Sequence, residues 1–131
     1  MKAEARFFKS LADETRLKIL WLLSEVEELC VCDVLSVLKI TQSKASRHLR
    51  YLYNMGWVTD RRAGLLMNYR LCVPPGSPGE KQLKLLAEML DSHPEAQALK
   101  AQLHDRLEKK HQSKVQAAAG DKAESRIRTF S

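Results

Sequence analysis

Two cysteines separated by one residue are the side chains of this sequence best suited to chemistry. Cys30 and Cys32 lie in the string ELCVCD at residues 28–33, where a short helix is predicted to begin. Thiolates are soft ligands that select soft ions over magnesium or calcium. On a regular helix, side chains two positions apart point about 200° apart. Both sulfurs therefore reach one ion only if the first helical turn is extended or distorted, and metal, redox and packing roles all stay open.

A second candidate site follows at residues 41–56, where apolar residues recur at helical spacing: Ala45, Leu49, Leu52 and Met55. Thr41 is a favourable N-cap, and Gly56 lies where a C′ glycine ends a helix. The opposite face carries amides, hydroxyls and cations: Gln42, Ser43, Lys44, Ser46, Arg47 and Arg50. Such groups suit base edges and phosphates in a DNA major groove. An ordinary amphipathic surface helix is the alternative.

Elements that would position these residues are predicted along most of the chain. Helices are expected over 2–10, from Asp13 to about residue 24, 31–38, 41–56, 80–91 and 94–111, and strands over 57–62 and 67–73. Two short helices joined by a tight connection form a helix-turn-helix pattern, and the hairpin behind it would be a wing. Arg61 and Arg62 on this hairpin would contact DNA, unless the hairpin only caps the core. The predicted fold is mainly α with a small β-hairpin, a winged helix-turn-helix.

Composition limits the classes of protein to consider. The 131 residues carry a net charge of +6 and 44% hydrophobic residues, which suits one domain over 1–111, with a linker near 74–79 and a disordered polar tail over 112–131. The last two helices carry more apolar surface than so small a core can cover, which predicts a homodimer. No apolar run reaches the length of a membrane span, and no signal sequence or acid–base constellation is evident. A cytoplasmic protein that is not an enzyme is expected.

Five stretches in this order and spacing resemble one known family: LADETRLKIL (11–20), ELCVCDV (28–34), QSKASRHL (42–49), RRAG (61–64) and YRL (69–71). They are similar to the ArsR/SmtB family, and the ELCVCD string resembles its arsenical-responsive branch. The resemblance implies a dimeric repressor that releases double-stranded operator DNA when arsenite or antimonite binds Cys30 and Cys32. It also implies that Gln42, Ser43, Ser46, Arg47 and His48 lie on the recognition helix. No permanently bound cofactor is implied, although zinc is an alternative inducer.

One position departs from the family pattern. The best-known members have a third cysteine three residues after the second, and Leu35 stands there in this sequence. Trivalent arsenic prefers three thiolates, so Cys72, an exogenous thiol such as glutathione, or the partner subunit would supply the third ligand.

Other readings of the sequence remain open. Asp91, His93 and His104 partly match the zinc or cobalt site of the same family, and a reversible Cys30–Cys32 disulfide would make a redox-responsive repressor. A thiol-disulfide enzyme normally has two residues between its cysteines in a βαβ context, and neither is present. Besides a repressor and an enzyme, the remaining alternative is a protein-interaction module that is built on a winged helix and does not bind DNA.

Overall fold

A computed structural model describes the backbone of residues 1–130 and the side chains of residues 1–116. Within it, the elements in chain order are α1 (Lys2–Leu11), α2 (Glu14–Glu25), β1 (Leu29–Cys30), α3 (Val31–Leu38), α4 (Gln42–Asn54), β2 (Val58–Ala63), β3 (Leu66–Leu71), α5 (Pro78–Leu90) and α6 (Pro94–Phe130). The winged helix-turn-helix prediction is confirmed, with α3 and α4 as the helix-turn-helix and β2–β3 as the wing.

The helix ends follow from local signals. The side chain of Asp13 accepts a hydrogen bond from the Arg16 amide and begins α2, while the Thr41 hydroxyl does the same for Lys44 at the start of α4. Gly56 follows Met55, the C-cap residue of α4, and has a φ of +83°, a conformation that glycine adopts without steric cost. These three residues fix where the two helices start and where the chain turns into the wing.

The core forms around α2. Its buried residues are Ile19, Leu20, Leu22 and Leu23 from α2, Leu49 and Leu52 from α4, and Leu103 from α6. Trp57 is also buried, and its indole N–H donates to the Ser10 hydroxyl (2.8 Å). Each fully buried apolar side chain contributes about 1.5–3 kcal/mol, so these residues hold α2, α4 and α6 together.

A short strand that the sequence analysis does not predict completes the sheet. Leu29 and Cys30 form β1, which pairs antiparallel with Tyr69 and Asn68 of β3, giving the strand order β1–β3–β2. Two residues are too few to show the alternation that identifies a strand. This pairing attaches the cysteine segment to the wing.

The C-terminal part differs from the prediction. We expected a tail without regular structure from residue 112, whereas α6 continues past His111 to Phe130. Residues 112–130 are rich in Ala, Lys, Gln, Glu and Arg, which favour helix even where no apolar stripe marks a buried face. Residue 131 lies outside the described residues.

Candidate functional site

Cys30 and Cys32 lie where β1 leads into α3. Cys30 is the N-cap of α3 with an extended backbone (φ −79°, ψ 162°), and Cys32 is in the first turn. The Cα atoms are 5.2 Å apart, and the two sulfurs are joined as a disulfide. The extended backbone at Cys30 therefore allows the two sulfurs to converge, which a regular helix would not.

Asp33 anchors this segment through a reciprocal capping arrangement. The Asp33 amide donates to Cys30 Sγ (3.2 Å), and the Cys30 amide donates to Asp33 Oδ2 (3.1 Å). Serine or threonine usually holds the N-cap position of such a capping box. The Cys30 sulfur thus stabilises the start of α3, so chemistry at this atom acts directly on the helix.

Two cations from α6 complete the environment of Asp33, which is only 3% exposed. Arg106 Nε and Lys110 Nζ donate to Asp33 Oδ1 at 3.0 and 2.8 Å, and Lys110 Nζ lies 3.7 Å from Cys30 Sγ. Neither residue is among the site residues predicted from the sequence. Two signals could have identified them. Asp33 lies inside an apolar motif, and a buried carboxylate needs a cationic partner. Arg106 and Lys110 are four residues apart on a predicted helix, so both can reach the same carboxylate.

Replacing Asp33 by alanine is expected to lower the free energy of unfolding by about 3 kcal/mol, because two half-buried cations lose their counter-charge. The measurement is urea denaturation of the reduced protein. Asp105→Ala is the control, since Asp105 forms an exposed ion pair with Lys109 on the same helix and its loss should change stability little. Equal stabilities of the two variants would contradict the assigned role of Asp33.

One cleft joins the cysteines to the proposed DNA-reading elements. It has a volume of about 370 Å³, and it is lined by Cys30, Val31, Cys32, Leu35, Gln42, Ser46, Arg50, Leu65, Leu66, Met67 and Tyr69. These residues come from β1 and α3, from α4, and from β3 and the turn before it. A molecule held by the two sulfurs would therefore lie against the recognition helix.

Most side chains predicted to contact DNA are accessible on α4. Gln42, Ser43, Lys44, Arg47 and Arg50 are exposed, and Ser46 is half-buried at the edge of the cleft. The Arg50 guanidinium lies 5.2 Å from the centre of the Tyr53 ring. These groups can approach base edges and phosphates from one side of the helix.

His48 is a correction to the set of recognition residues that the family resemblance implies. Its side chain is buried (8% exposed), and its Nδ1 atom lies 3.5 Å from Arg16 Nη1 and 4.0 Å from Asp13 Oδ1. Burial lowers the pKa of the imidazole, an effect that the nearby Asp13 carboxylate opposes. The helical period turns position 48 towards α2, so the imidazole of His48 packs against the start of α2.

On the wing, the two arginines differ. Arg61 and Arg62 are both exposed on β2, but Arg61 forms a two-pronged ion pair with Glu28, with Nε donating to Oε2 at 3.1 Å. The hydrogen bond from Arg61 lowers the pKa of the Glu28 carboxyl. Arg61 therefore connects the wing to the segment before the cysteines, in addition to its predicted role.

The other predicted metal ligands lie elsewhere. Among the described side chains, Cys30, Cys32 and Asp33 form the only group of three metal-binding residues with ligand atoms within 4.8 Å of one another. His93 Nδ1 instead accepts the Ala96 amide at the start of α6 (3.4 Å). Asp91, His93 and His104 thus make no common site within one chain.

Cys72 is also distant from the cysteine pair. It follows β3, while Cys30 pairs with Asn68 four residues earlier, and four extended residues span about 13 Å. Its thiol donates weakly to the Gly56 carbonyl (3.5 Å). Cys72 therefore cannot supply a third sulfur to the Cys30–Cys32 pair of the same chain.

Among the described helices, none combines the length and the apolar character that crossing a bilayer would require.

Comparison with known proteins gives matches over the helix-turn-helix. Residues 13–60 match the model of a family described as bacterial regulatory protein, arsR family. The arsenical resistance operon repressor of Escherichia coli K12 is 53% identical over 66 residues, covering 50% of this chain and 56% of that protein. A homolog of the cadmium resistance transcriptional regulatory protein from Staphylococcus aureus is 46% identical over 67 residues, covering 51% and 55%. The chain thus spans about half the length of these relatives.

A solved structure extends the match beyond this region. The homodimeric winged helix-turn-helix DNA-binding domain of a possible ArsR-family transcriptional regulator from Mycobacterium bovis is 30% identical. The match covers 71% of this chain and 82% of that domain, with a TM-score of 0.57. These relatives are regulators of transcription and not enzymes. From the helix-turn-helix match and the shared winged fold, we conclude that this chain belongs to the arsR family of bacterial regulatory proteins.

Proposed function

We propose that this protein is a dimeric repressor that binds operator DNA and releases it when trivalent arsenic or antimony binds the thiolates of Cys30 and Cys32. The observation that carries the proposal is the cleft shared by the cysteine pair, α4 and the wing. Thiolates are the ligands that soft ions prefer. The names of the relatives, which include an arsenical resistance operon repressor, support the same inducer class.

DNA binding would use α4 and the wing together. Gln42, Ser43, Lys44, Ser46, Arg47 and Arg50 would enter the major groove, with Arg61 and Arg62 against the backbone. Arginine, glutamine and serine side chains read base edges, whereas lysine and the wing arginines mainly neutralise phosphates. A repressor acting on chromosomal operators would work in the cytoplasm.

Dimerisation would cover apolar residues that one chain leaves exposed. Phe8 of α1 and Leu85 and Met89 of α5 are all exposed. Exposed apolar side chains on neighbouring helices are typical of subunit contacts. The homodimeric state of the Mycobacterium bovis domain supports this assembly.

Release would follow from the double role of Cys30. Its sulfur accepts the Asp33 amide at the N-cap of α3, and α3 packs directly on α4. Bonding of this sulfur to an inducer would move the acceptor that caps α3, and such a cap is typically worth about 1 kcal/mol to a helix. The inducer also occupies the cleft beside Gln42, Ser46 and Arg50. A coupling of about 1–3 kcal/mol would weaken DNA binding roughly 5- to 150-fold.

A redox-responsive repressor is the second candidate, because the structure joins Cys30 and Cys32 as a disulfide. The disulfide has no free thiolate and would have to be reduced by two electrons before an inducer could bind. Oxidation and inducer binding would therefore compete for the same two sulfurs. A zinc, cobalt or cadmium response is a weaker alternative, since the described part of one chain offers no third sulfur at the site.

The test uses the reduced protein and a labelled duplex that the protein selects from a random-sequence library. Fluorescence anisotropy follows the complex during titration with arsenite, antimonite, zinc or hydrogen peroxide. We expect the trivalent arsenic and antimony compounds to weaken binding about 5- to 150-fold and zinc to have little effect. Release by peroxide, reversed by a reductant, would favour the redox candidate. A complex that none of these additions weakens would refute the proposal.

A further inference from the structure

The number of sulfur donors at the site sets a limit on the inducer. Cys30 and Cys32 supply two sulfur donors. Cys72 lies about 13 Å along the sheet from Asn68, the residue that pairs with Cys30. The carboxylate of Asp33 is already occupied, since Oδ1 accepts from Arg106 and Lys110 and Oδ2 accepts from the Cys30 amide. Within the described part of one chain, the site is therefore a two-sulfur chelate.

Different ions need different numbers of ligands. Zinc is bound by four ligands in structural sites, and inorganic trivalent arsenic prefers three thiolates. A trivalent arsenic atom that already carries one carbon substituent has only two valences left for sulfur. We propose that the Cys30–Cys32 site selects such carbon-substituted trivalent arsenicals over arsenite. This inference rests on the proposed function, because it assigns the inducer class of the same cysteine pair.

The walls of the cleft suit the carbon substituent. Leu35 follows Cys32 by one helical turn and lines the cleft, at the position where a third sulfur would otherwise lie. Leu66 and Met67 of the wing line it from the other side, and Leu66 is exposed. Since an apolar cavity of about 150 Å³ holds benzene, a cleft of about 370 Å³ has room for an arsenic atom with a phenyl group.

The binding step exchanges oxygen for sulfur and transfers no electrons to arsenic. The disulfide is first opened by a phosphine reductant. Phosphorus gives up two electrons and takes the oxygen of one water molecule as phosphine oxide, and the two protons of that water go to the two sulfurs. In water the arsenical is the dihydroxy form, R–As(OH)2, and each thiol of Cys30 and Cys32 then replaces one hydroxyl. Two As–S bonds form, two As–O bonds break, and the thiol protons leave with the hydroxyls as two water molecules. Arsenic stays trivalent and keeps its carbon substituent.

The experiment compares phenylarsine oxide with arsenite on the reduced, full-length protein. Isothermal calorimetry measures affinity, and native mass spectrometry measures stoichiometry. We expect one phenylarsenical per chain and a more than tenfold weaker affinity for arsenite. Arsenite lacks one of its preferred thiolates at this site. The missing thiolate matters because an intramolecular ligand acts at an effective concentration of about millimolar or more. Leu35→Cys should raise the affinity for arsenite at least about tenfold by supplying that ligand.

Leu38→Cys is the matched control, because it adds a thiol to the same helix at a residue outside the cleft. The Leu66→Asn variant should weaken binding of phenylarsine oxide about fivefold relative to methylarsonous acid, through loss of apolar contact with the ring. If Leu35→Cys does not fold, the comparison on the wild-type protein still decides.

If arsenite binds the wild-type protein as tightly as phenylarsine oxide does, the inference is wrong. This holds even if Cys72 of a second subunit supplies a third sulfur to the site. Cys72→Ser would identify that source. The proposed function fails in a different way, if phenylarsine oxide binds the cysteine pair but the protein–duplex complex persists. The two failures are therefore distinguished by measuring inducer affinity and DNA release on the same samples.

Discussion

Serine at position 30 or 32 is expected to leave DNA binding intact and to abolish release by trivalent arsenicals. Either substitution removes one of the two sulfur donors, and a hydroxyl is a poor ligand for a soft ion. The full 5- to 150-fold weakening of the complex that the inducer causes should disappear. The measurement is anisotropy of the labelled duplex during titration of the reduced variants with arsenite and with phenylarsine oxide.

The Cys30→Ser variant is a clean test because serine is itself a favoured N-cap. Its hydroxyl can accept the Asp33 amide in place of the sulfur, so α3 should keep its first turn and its contact with α4. Cys72→Ser is the matched control, since it removes a thiol outside the cleft and should respond as the wild type does. If either single variant at the pair releases DNA at the wild-type inducer concentration, the ligand assignment is wrong.

The helix-turn-helix was predictable because its signals are local in sequence. Asp13 and Thr41 act as N-caps, and Gly56 adopts a positive φ, as the residue types indicate. The apolar spacing of residues 45–55 also fixed which face of α4 packs inward. Local signals of this kind need no knowledge of the tertiary fold.

The surroundings of the cysteines depend on contacts that are distant in sequence. Asp33 meets Arg106 and Lys110 only because α6 packs across α3, and β1 exists only because Leu29 and Cys30 pair with the middle of β3. Periodicity specifies which face of a helix is apolar, but it does not specify the partner of that face. The sequence therefore predicted the two cysteines of the site but not the ion pairs and the strand that surround them.

His48 shows how an analogy can mislead where geometry decides. The position follows Arg47 directly, and successive helical residues point about 100° apart. Arg47 is exposed, whereas the imidazole of His48 is buried against Asp13 and Arg16. Helical period alone, applied to the stripe of Ala45, Leu49 and Leu52, places residue 48 beside the buried side.

Arg47→Ala is expected to remove sequence-specific DNA binding without affecting the dimer. Arg47 is exposed on α4, and a bidentate arginine contact with guanine contributes about 1–3 kcal/mol of discrimination between bases. Anisotropy at matched salt should show about a 5- to 150-fold loss for the selected duplex and a much smaller change for a scrambled one. Lys109→Ala, an equal change of charge at an exposed position of α6 outside the proposed DNA and dimer surfaces, should leave the preference intact. Unchanged discrimination by Arg47→Ala would place the recognition surface elsewhere.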